Sequence, residues 1–341
     1  YRWMDADRLG KFDGWVAKFY EEHPEIIVQI MPAPAGGVNQ TIKLRAMMMA
    51  GNPPDMTYWL PAAYIWGGIL QSIQPLVDRD GYDLSDIPQS LLSSSVMYQG
   101  ELHALPFQAG GNNICYVYNR KQFEEAGVEP PPSQWNDPSW TWDEWVSRLR
   151  QLTLDKNGDG EIDQYGLGST GYFMSHTRQW DTWWINPEDM KTITCDTPEM
   201  IDCYEHIVAL RCEHGVLPPM EVQQGWGPIN IFLAEKAAMT TMQSWVFETY
   251  LAPYPKPDAP TGTTWAEFQG DVGAGIVTGS PHVNQAWEFM KWMDRDGNWL
   301  DLEVAIPSRT SWVELWIEKL SGLEGADRHA DVNLMLVAEG I

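Results

Sequence analysis

Positive charge is what this chain has least of. Lys and Arg together number 22 against 47 Asp and Glu, a formal charge of −25 over 341 residues. Nucleic-acid phosphates need clustered Lys and Arg, so a nucleic-acid partner is excluded, and anionic membrane surfaces are excluded on the same ground. Such a charge favours solubility and weak self-association, so a monomer is expected. Long apolar runs are missing as well: no stretch approaches the ~20 residues that cross a bilayer. The four cysteines, Cys115, Cys195, Cys203 and Cys212, are too few for a disulfide scaffold. Cys203 and Cys212 within one helix stand too far apart to pair. No nucleophile elbow, Walker loop, GxGxxG or HExxH occurs, so those catalytic chemistries lack support and no organic cofactor is expected. No internal repeat is found, and the opening residues do not read as a signal peptide. The chain opens at Tyr1-Arg2-Trp3-Met4 in what reads as a strand, as a trimmed secreted domain or a cytosolic protein would.

What the chain has in excess is tryptophan, with 19 residues. An indole offers a large flat apolar face and one N–H donor, which suits a flat ligand with polar edges better than it suits a core. Sugars are the commonest ligand of that kind. The length exceeds one ordinary core and implies two domains of roughly 150 residues each.

Helix and strand signals alternate through the first third. Leu9, Phe12, Val16 and Phe19 repeat at helical spacing up to His23-Pro24. Ile26–Met31 reads as a β-branched strand, 38–50 as a helix ending at Gly51-Asn52-Pro53-Pro54, and 55–59, 102–107 and 113–118 as further strands. This order implies a largely parallel sheet with helices on its faces. Thr141 and Glu144 form a capping box for a helix over 142–152. A helix over 198–214 carries Ile201, Tyr204, Ile207, Val208 and Cys212 along one face. Residues 272–277 read as a strand, 282–293 as a helix and 252–264 as a surface loop.

Short motifs punctuate this order: Phe19-Tyr20-Glu21-Glu22-His23-Pro24, Ala50-Gly51-Asn52-Pro53-Pro54-Asp55, and Gly100-Glu101-Leu102-His103-Ala104-Leu105-Pro106-Phe107 with Tyr116-Val117-Tyr118-Asn119. Phe123-Glu124-Glu125-Ala126-Gly127, Thr141-Trp142-Asp143-Glu144-Trp145, Ala238-Met239 with Ser244-Trp245, Ala286-Trp287-Glu288-Phe289-Met290 and Ile306-Pro307-Ser308-Arg309 follow. In this order the chain resembles the family 1 extracellular solute-binding proteins of ABC importers, which include maltodextrin receptors. The resemblance implies an α/β, two-lobed periplasmic-binding-protein fold (type II-like) with a hinge and a ligand cleft between the lobes. It implies a first lobe of 1–109 and 273–303 and a second of 112–270 and 306–341, with crossovers near 108–112, 270–272 and 304–306. The segment 327–341 carries no family pattern.

Each tryptophan has a structural alternative. Trp142 and Trp145 share a helix face with Val146 and Leu149, Trp287 lies beside Val283 and Met290, and Trp312 and Trp316 are spaced i,i+4, so these five are read as core. Tyr58 and Trp59 close a strand, and open α/β sheets bind ligands beyond the carboxyl ends of their strands. Trp180, Trp183 and Trp184 cluster in an irregular stretch, and Trp226 lies between two glycines. By resemblance Trp245 stacks on a sugar ring, and Asp5, Asp7 and Arg8 take the place of sugar-binding polar groups after the first strand. Gln108, Asn112 and Asn113 on the implied crossover both donate and accept, as a hydroxyl-rich ligand requires. Gln243, Glu248 and Arg309 complete the candidates. For all the polar residues a solvated-loop or hinge role is the competing reading.

The segment Asp155-Lys156-Asn157-Gly158-Asp159-Gly160-Glu161-Ile162-Asp163 follows the EF-hand loop grammar. Asp155, Asn157, Asp159 and Asp163 stand at positions 1, 3, 5 and 9, and Glu161 at position 7 supplies a carbonyl. Position 12, normally a bidentate Glu, is Gly166, which excludes a full EF-hand. Similar loops occur in the resembled family, so a structural Ca2+ is expected, against an Asx-turn loop holding none.

The function expected is non-catalytic sugar or oligosaccharide capture and delivery to an ABC permease, outside the cytoplasm, in a periplasm or lipid-anchored at the cell surface. The alternatives are a carbohydrate-active enzyme using two carboxylates, or a receptor for a phosphodiester, polyol or peptide.

Overall fold

The computed structural model describes residues 6–31, 33, 37–58, 62–109, 115–132, 137–170, 174–186, 192–226, 228–242, 250–252, 273–302 and 306–321. By contact the chain divides into two compact units. Unit 1 is Tyr1–Gly111 with Gln269–Leu323 and Ile341, and unit 2 is Asn112–Phe268 with Glu324–Gly340. Among the described residues the strands are β1 (Met56–Tyr58), β2 (Met97–Tyr98), β3 (Glu101–Leu102), β4 (Ala104–Pro106), β5 (Cys115–Tyr118), β6 (Tyr165–Leu167), β7 (Ala237–Met242), β8 (Tyr250–Ala252) and β9 (Gly273–Ile276).

Unit 1 holds a sheet of order β1-β9-β4 and the hairpin β2-β3, all antiparallel. Among the described residues the expected largely parallel sheet is not found: in unit 2, of order β6-β7-β5-β8, β6 and β7 run parallel and the other described pairs antiparallel. The reason lies in the connectivity. The central strand of unit 1, β9, returns after the Asn112–Phe268 stretch of unit 2 and inserts between β1 and β4, so its direction is not set by a local β-α-β crossover. Its sequence Gly-Ala-Gly-Ile suits a crowded centre, since a Cβ at Gly275 would stand 2.7 Å from Leu70 Cδ1.

Ile26–Met31 is also not a strand among the described residues. Ile27 is 87% exposed, and both the N–H and the C=O of Val28 bond to the Tyr20 hydroxyl at 3.1 Å rather than to a neighbouring strand.

Helix Ala6–Glu22 packs Trp15 and Phe19 against Phe289 and Trp292 of helix Val283–Met293, with ring centroids 4.9–5.8 Å apart. Two of the buried indoles bond their donors: Trp15 Nε1 donates to Asn298 O at 2.7 Å and Trp287 Nε1 to Asp80 Oδ2 at 2.8 Å. Trp142, Trp145, Trp287, Trp312 and Trp316 are all buried, as their helical spacing predicts.

The segment 306–321 lies in unit 1, not in the second lobe where 306–341 was expected. Ala109 N donates to Ile306 O at 2.9 Å, Ser308 N to Phe107 O at 3.1 Å and Ser308 Oγ to Pro106 O at 2.6 Å, so this segment extends the β4 edge of unit 1.

In unit 2, Thr141 caps helix Trp142–Gln151 by accepting from Glu144 N at 3.2 Å. The reciprocal half of the box is absent, because Glu144 Oε1 accepts from Arg148 Nε at 2.7 Å instead. Helix Pro198–Cys212, capped by Thr197, buries Met200, Cys203 and Leu210. The apolar face aligned in the sequence is not the one that meets the core, and Ile201, Val208 and Cys212 on it are exposed. Burial pushes the Cys203 thiol up to about 12, so it packs as an apolar group.

His176 sits fully enclosed in unit 2, its Nε2 3.0 Å from Thr170 O and 3.2 Å from the Tyr116 hydroxyl. Burial holds its pKa down at about 4, against 6.5 for a free imidazole. A depressed folded pKa means that its contribution is intact above 6.5 and drains away as pH falls towards 4. Unfolding of unit 2 is therefore expected to lose about 3 kcal/mol across that window on this account. Denaturant midpoints between pH 7 and pH 4 measure it, and His176→Gln is expected to flatten the profile relative to the parent.

Candidate ligand-binding and metal-binding residues

The described candidates separate by whether their surfaces are open. Tyr58 is not a cleft residue: on β1 it is buried against Phe107, centroids 6.0 Å apart, and its hydroxyl accepts from Trp299 Nε1. Trp180 is likewise enclosed, edge-on to Trp142 at 5.2 Å, with Nε1 donating to Asp202 Oδ2 at 2.6 Å. Both faces of that indole belong to the unit 2 core, which leaves no surface to stack on a ring.

Arg309 is committed elsewhere. Buried in unit 1, its Nη2 and Nε donate to Asp294 Oδ2 at 2.6 and 3.1 Å, and Nη2 also reaches Asp83 O at 3.0 Å. The Tyr82 hydroxyl donates to the same carboxylate oxygen at 2.6 Å. Burial pushes the Asp294 carboxyl up, opposed by the bonds from Arg309 and Tyr82. Burial also raises the Tyr82 hydroxyl. Gln108 is buried too, bridged to Pro307 within unit 1.

Trp183 and Trp184 remain open, at 37% and 38% exposure. They precede a bridged pair, Ile185 with Ile193, and the Trp184 ring meets Tyr204 edge-on at 6.3 Å. Trp66, at the end of helix Ala62–Trp66, is a further open indole at 48% exposure. Its signal in the sequence was the Gly67-Gly68 pair that stops the helix and leaves the last side chain uncovered. Asp7 and Arg8 lie in the first turns of helix Ala6–Glu22 and Trp226 ends helix Met220–Trp226, while their side chains lie outside the described residues. Asp5, Trp59, Asn112, Asn113, Gln243, Trp245 and Glu248 also lie outside them.

A serine, a histidine and an aspartate meet at one place. Ser280 Oγ donates to Asp55 Oδ1 at 2.7 Å, and His282 Nδ1 stands 3.1 Å from the same oxygen. The hydroxyl bonds to the carboxylate and not to the imidazole, so this is not a relay that activates serine.

The acidic loop closes on its own backbone. Asp155 accepts from Gly158 N and Gly160 N at 2.7 and 2.8 Å, Asn157 Oδ1 from Asp159 N at 2.8 Å, and Asp159 Oδ1 from Glu161 N at 2.8 Å. Asp163 Oδ2 accepts from Lys156 N at 2.8 Å and Asn157 N at 3.2 Å. The amide of Gly160, first among these, holds the Asp155 carboxyl below its usual range. The donors match a hard, oxygen-ligated cation in kind. Their described arrangement does not gather them, since no group of three or more His, Cys, Asp or Glu side chains is placed to hold a metal among the described residues.

Two compact α/β units, each with its own sheet and linked by a chain that leaves the first and returns to it, define the class of two-lobed binding proteins. The sequence matches the family model of bacterial extracellular solute-binding proteins over residues 6–298, and the chain belongs to that family. The family is one of transport proteins that bind a solute outside the cytoplasm. No helix among the described residues is long and apolar enough to cross a membrane.

An uncharacterized ABC transporter extracellular-binding protein of Pyrococcus horikoshii is 28% identical over 134 residues, 38% of this chain. The match spans 30% of that relative's own length. The ABC substrate-binding protein of Listeria monocytogenes in complex with cycloalternan is similar in structure, with a TM-score of 0.70 at 20% identity, over 98% of this chain and 83% of that one. UgpB of Mycobacterium tuberculosis in complex with glycerophosphocholine has a TM-score of 0.68 at 16% identity, over 97% of this chain and 88% of that one. At these identities the likeness establishes the fold alone.

Proposed function

We propose that this chain is the monomeric solute receptor of an ABC importer. It captures a neutral sugar or oligosaccharide between its lobes, without transforming it, and delivers it to the membrane permease from a periplasm or from a lipid anchor. Family membership supports the receptor, and the cycloalternan complex supports a sugar. The glycerophosphocholine complex means that the fold does not choose the ligand. The choice rests on side-chain chemistry, and one observation carries it: of the two candidate cations, Arg309 is spent on Asp294 inside unit 1, and only Arg8, whose side chain lies outside the described residues, is left to meet an anion. In a chain with 22 cationic residues against 47 acidic ones, a phosphodiester is poorly served. Open indole suits a pyranose face, and Trp183, Trp59, Trp226 and Trp245 are the stacking surfaces of this reading. Trp184 is set aside because its ring packs on Tyr204.

Titration calorimetry against mono- and oligosaccharides together with glycerophosphodiesters tests it. Sugar binding without turnover is the expected result, weakened about tenfold by Trp245→Ala through the lost stacking face. Turnover of any sugar would replace the receptor by an enzyme, and binding of phosphodiesters alone would remove the sugar.

We propose in addition that Asp155, Asn157, Asp159, Asp163 and the Glu161 carbonyl take a structural Ca2+. The loop's amide bonds leave lone pairs on each exposed carboxylate with which to meet a hard cation. Calcium is then expected to raise the melting temperature by mass action, and chelation to reverse the rise. Identical melting curves with calcium and with chelator would leave a metal-free Asx-turn loop.

A further inference from the structure

Helix Pro198–Cys212 has an unusual outer face. Its inner face is satisfied by Met200, Cys203 and Leu210, yet Ile201 and Val208 stand 47% and 56% exposed on the opposite side, seven residues apart and therefore in line. Tyr204 flanks them and carries the Trp184 ring against it, and Ile193, in the strand-like segment that follows, is 71% exposed. Glu205 sits between the two aliphatic residues on the helix. An apolar line interrupted by one carboxylate is not explained by the unit 2 core, which it faces away from.

The charges around this face say what covers it. Asp181, Asp196, Glu199, Glu205 and Glu213 are all exposed. Arg211 is withdrawn, donating to Pro218 O and Gln223 Oε1 at 2.7 Å each. His206 is held by Asp202, its Nδ1 2.9 Å from the carbonyl. Within 181–213 no described side chain offers an exposed Lys or Arg. A second copy would therefore set acid against acid, on chains that each carry −25, and an anionic lipid surface would be repelled in the same way. The complement is a protein surface with apolar side chains at its centre and Lys or Arg at its rim, one of them placed to meet Glu205.

We infer that the outer face of helix Pro198–Cys212, with Trp184 and Ile193, is a docking surface for the extracytoplasmic side of the permease, and that the permease meets it with such a basic, apolar-centred surface. This rests on the receptor reading above and names the place on unit 2 that the permease touches. Apolar contact at Ile201 and Val208 supplies affinity, and the acidic rim supplies orientation and a salt-sensitive association rate.

The test uses the full chain and the permease–ATPase complex encoded with it, reconstituted in lipid nanodiscs, with ATPase stimulation titrated at low and high salt. Ile201→Ser with Val208→Ser, and separately Glu205→Lys, change only exposed side chains. Each is expected to raise the half-stimulating concentration about tenfold, and Glu205→Lys is expected to flatten its salt dependence. Sugar affinity by calorimetry and melting temperature should match the parent, which distinguishes lost docking from misfolding. Variants that stimulate like the parent overturn the surface and leave the receptor intact. A parent that binds sugar but never stimulates the ATPase overturns both the surface and the importer. Self-association of the parent that these substitutions abolish assigns the face to a second copy and overturns the proposal.

Discussion

Replacing Arg309 by Ala is expected to destabilise unit 1 by about 3–5 kcal/mol, the cost of stranding one partner of a buried ion pair. Asp294 has no exposed side-chain surface, and its Oδ2 receives all three described bonds, two from Arg309 and one from the Tyr82 hydroxyl. Its Oδ1 has no partner among the described residues. Removing the guanidinium leaves a buried carboxylate with a single neutral donor, so it must hold its charge uncompensated or take up a proton. The damage extends beyond the pair. Arg309 also donates to Asp83 O, and its side chain lies 5.7 Å from the Trp312 ring and 5.8 Å from the Tyr82 ring. Arg309→Lys keeps the charge but loses the fork that reaches Asp294 and Asp83 together, and is expected to fall between parent and Ala. Hydrogen exchange in helix Val283–Met293, which Asp294 terminates, resolves the loss to unit 1. If Arg309→Ala weakened sugar binding without loosening that helix, the residue would belong to the ligand site after all.

The same residue shows what a sequence displays and what it conceals. Ile306-Pro307-Ser308-Arg309 reads as a family motif by resemblance, although the family match itself covers residues 6–298 and stops short of it. The motif does not say that Asp294, fifteen residues earlier, would take the guanidinium. Local signals were the legible ones. Thr141 caps its helix where a hydroxyl precedes a helical pattern, and helix Val283–Met293 buries Ala286, Phe289, Met290 and Met293 as its periodicity predicts, with Val283 at its first turn only half-buried. Sheet direction was not legible, because β9 pairs with strands far from it in the chain, and no local pattern encodes which distant strand a segment will join.

Side-chain exposure was the other hidden quantity. Helix Pro198–Cys212 has apolar residues on two faces, and periodicity alone could not decide which one met the core. Tyr58 and Trp180 stand in suitable places for a ligand, but whether a ring is open depends on neighbours such as Trp299 and Trp142 that lie remote in sequence. The acidic loop is a mixed case. Its amide-closed turns follow directly from Asx chemistry, and the reason its twelfth position is glycine emerges only from packing.

That glycine carries the second large effect. Gly166→Ala is expected to cost unit 2 at least about 3 kcal/mol, at the upper end of overpacking because the obstructing atoms are backbone. Gly166 lies in β6, and a Cβ there would fall 2.1 Å from Leu149 O and 2.7 Å from Leu149 C and Cα. Relief is closed off on both sides. Leu149 is fully buried on helix Trp142–Gln151 beside Trp145, while β6 is held in register with β7 through Tyr165 with Ala237 and Leu167 with Met239. The Thr153 hydroxyl ties the two elements together, donating to Leu149 O at 2.8 Å and accepting from Gly166 N at 2.9 Å. An added methyl therefore separates helix from strand and breaks that bridge, where a surface glycine would lose only backbone freedom. Gly160→Ala is the control: its φ of +93° is unfavourable for alanine, but nothing lies within 4 Å of the added carbon, so about 1–2 kcal/mol is expected. Denaturant unfolding of both variants measures the difference, and a Gly166→Ala protein no less stable than Gly160→Ala would refute the packing account. The same contact explains the missing calcium ligand. Gly166→Glu, the change that would complete an EF-hand on paper, is expected to destabilise at least as much as Gly166→Ala, and calcium would not rescue it, because the carboxylate cannot be attached without displacing the Leu149 carbonyl.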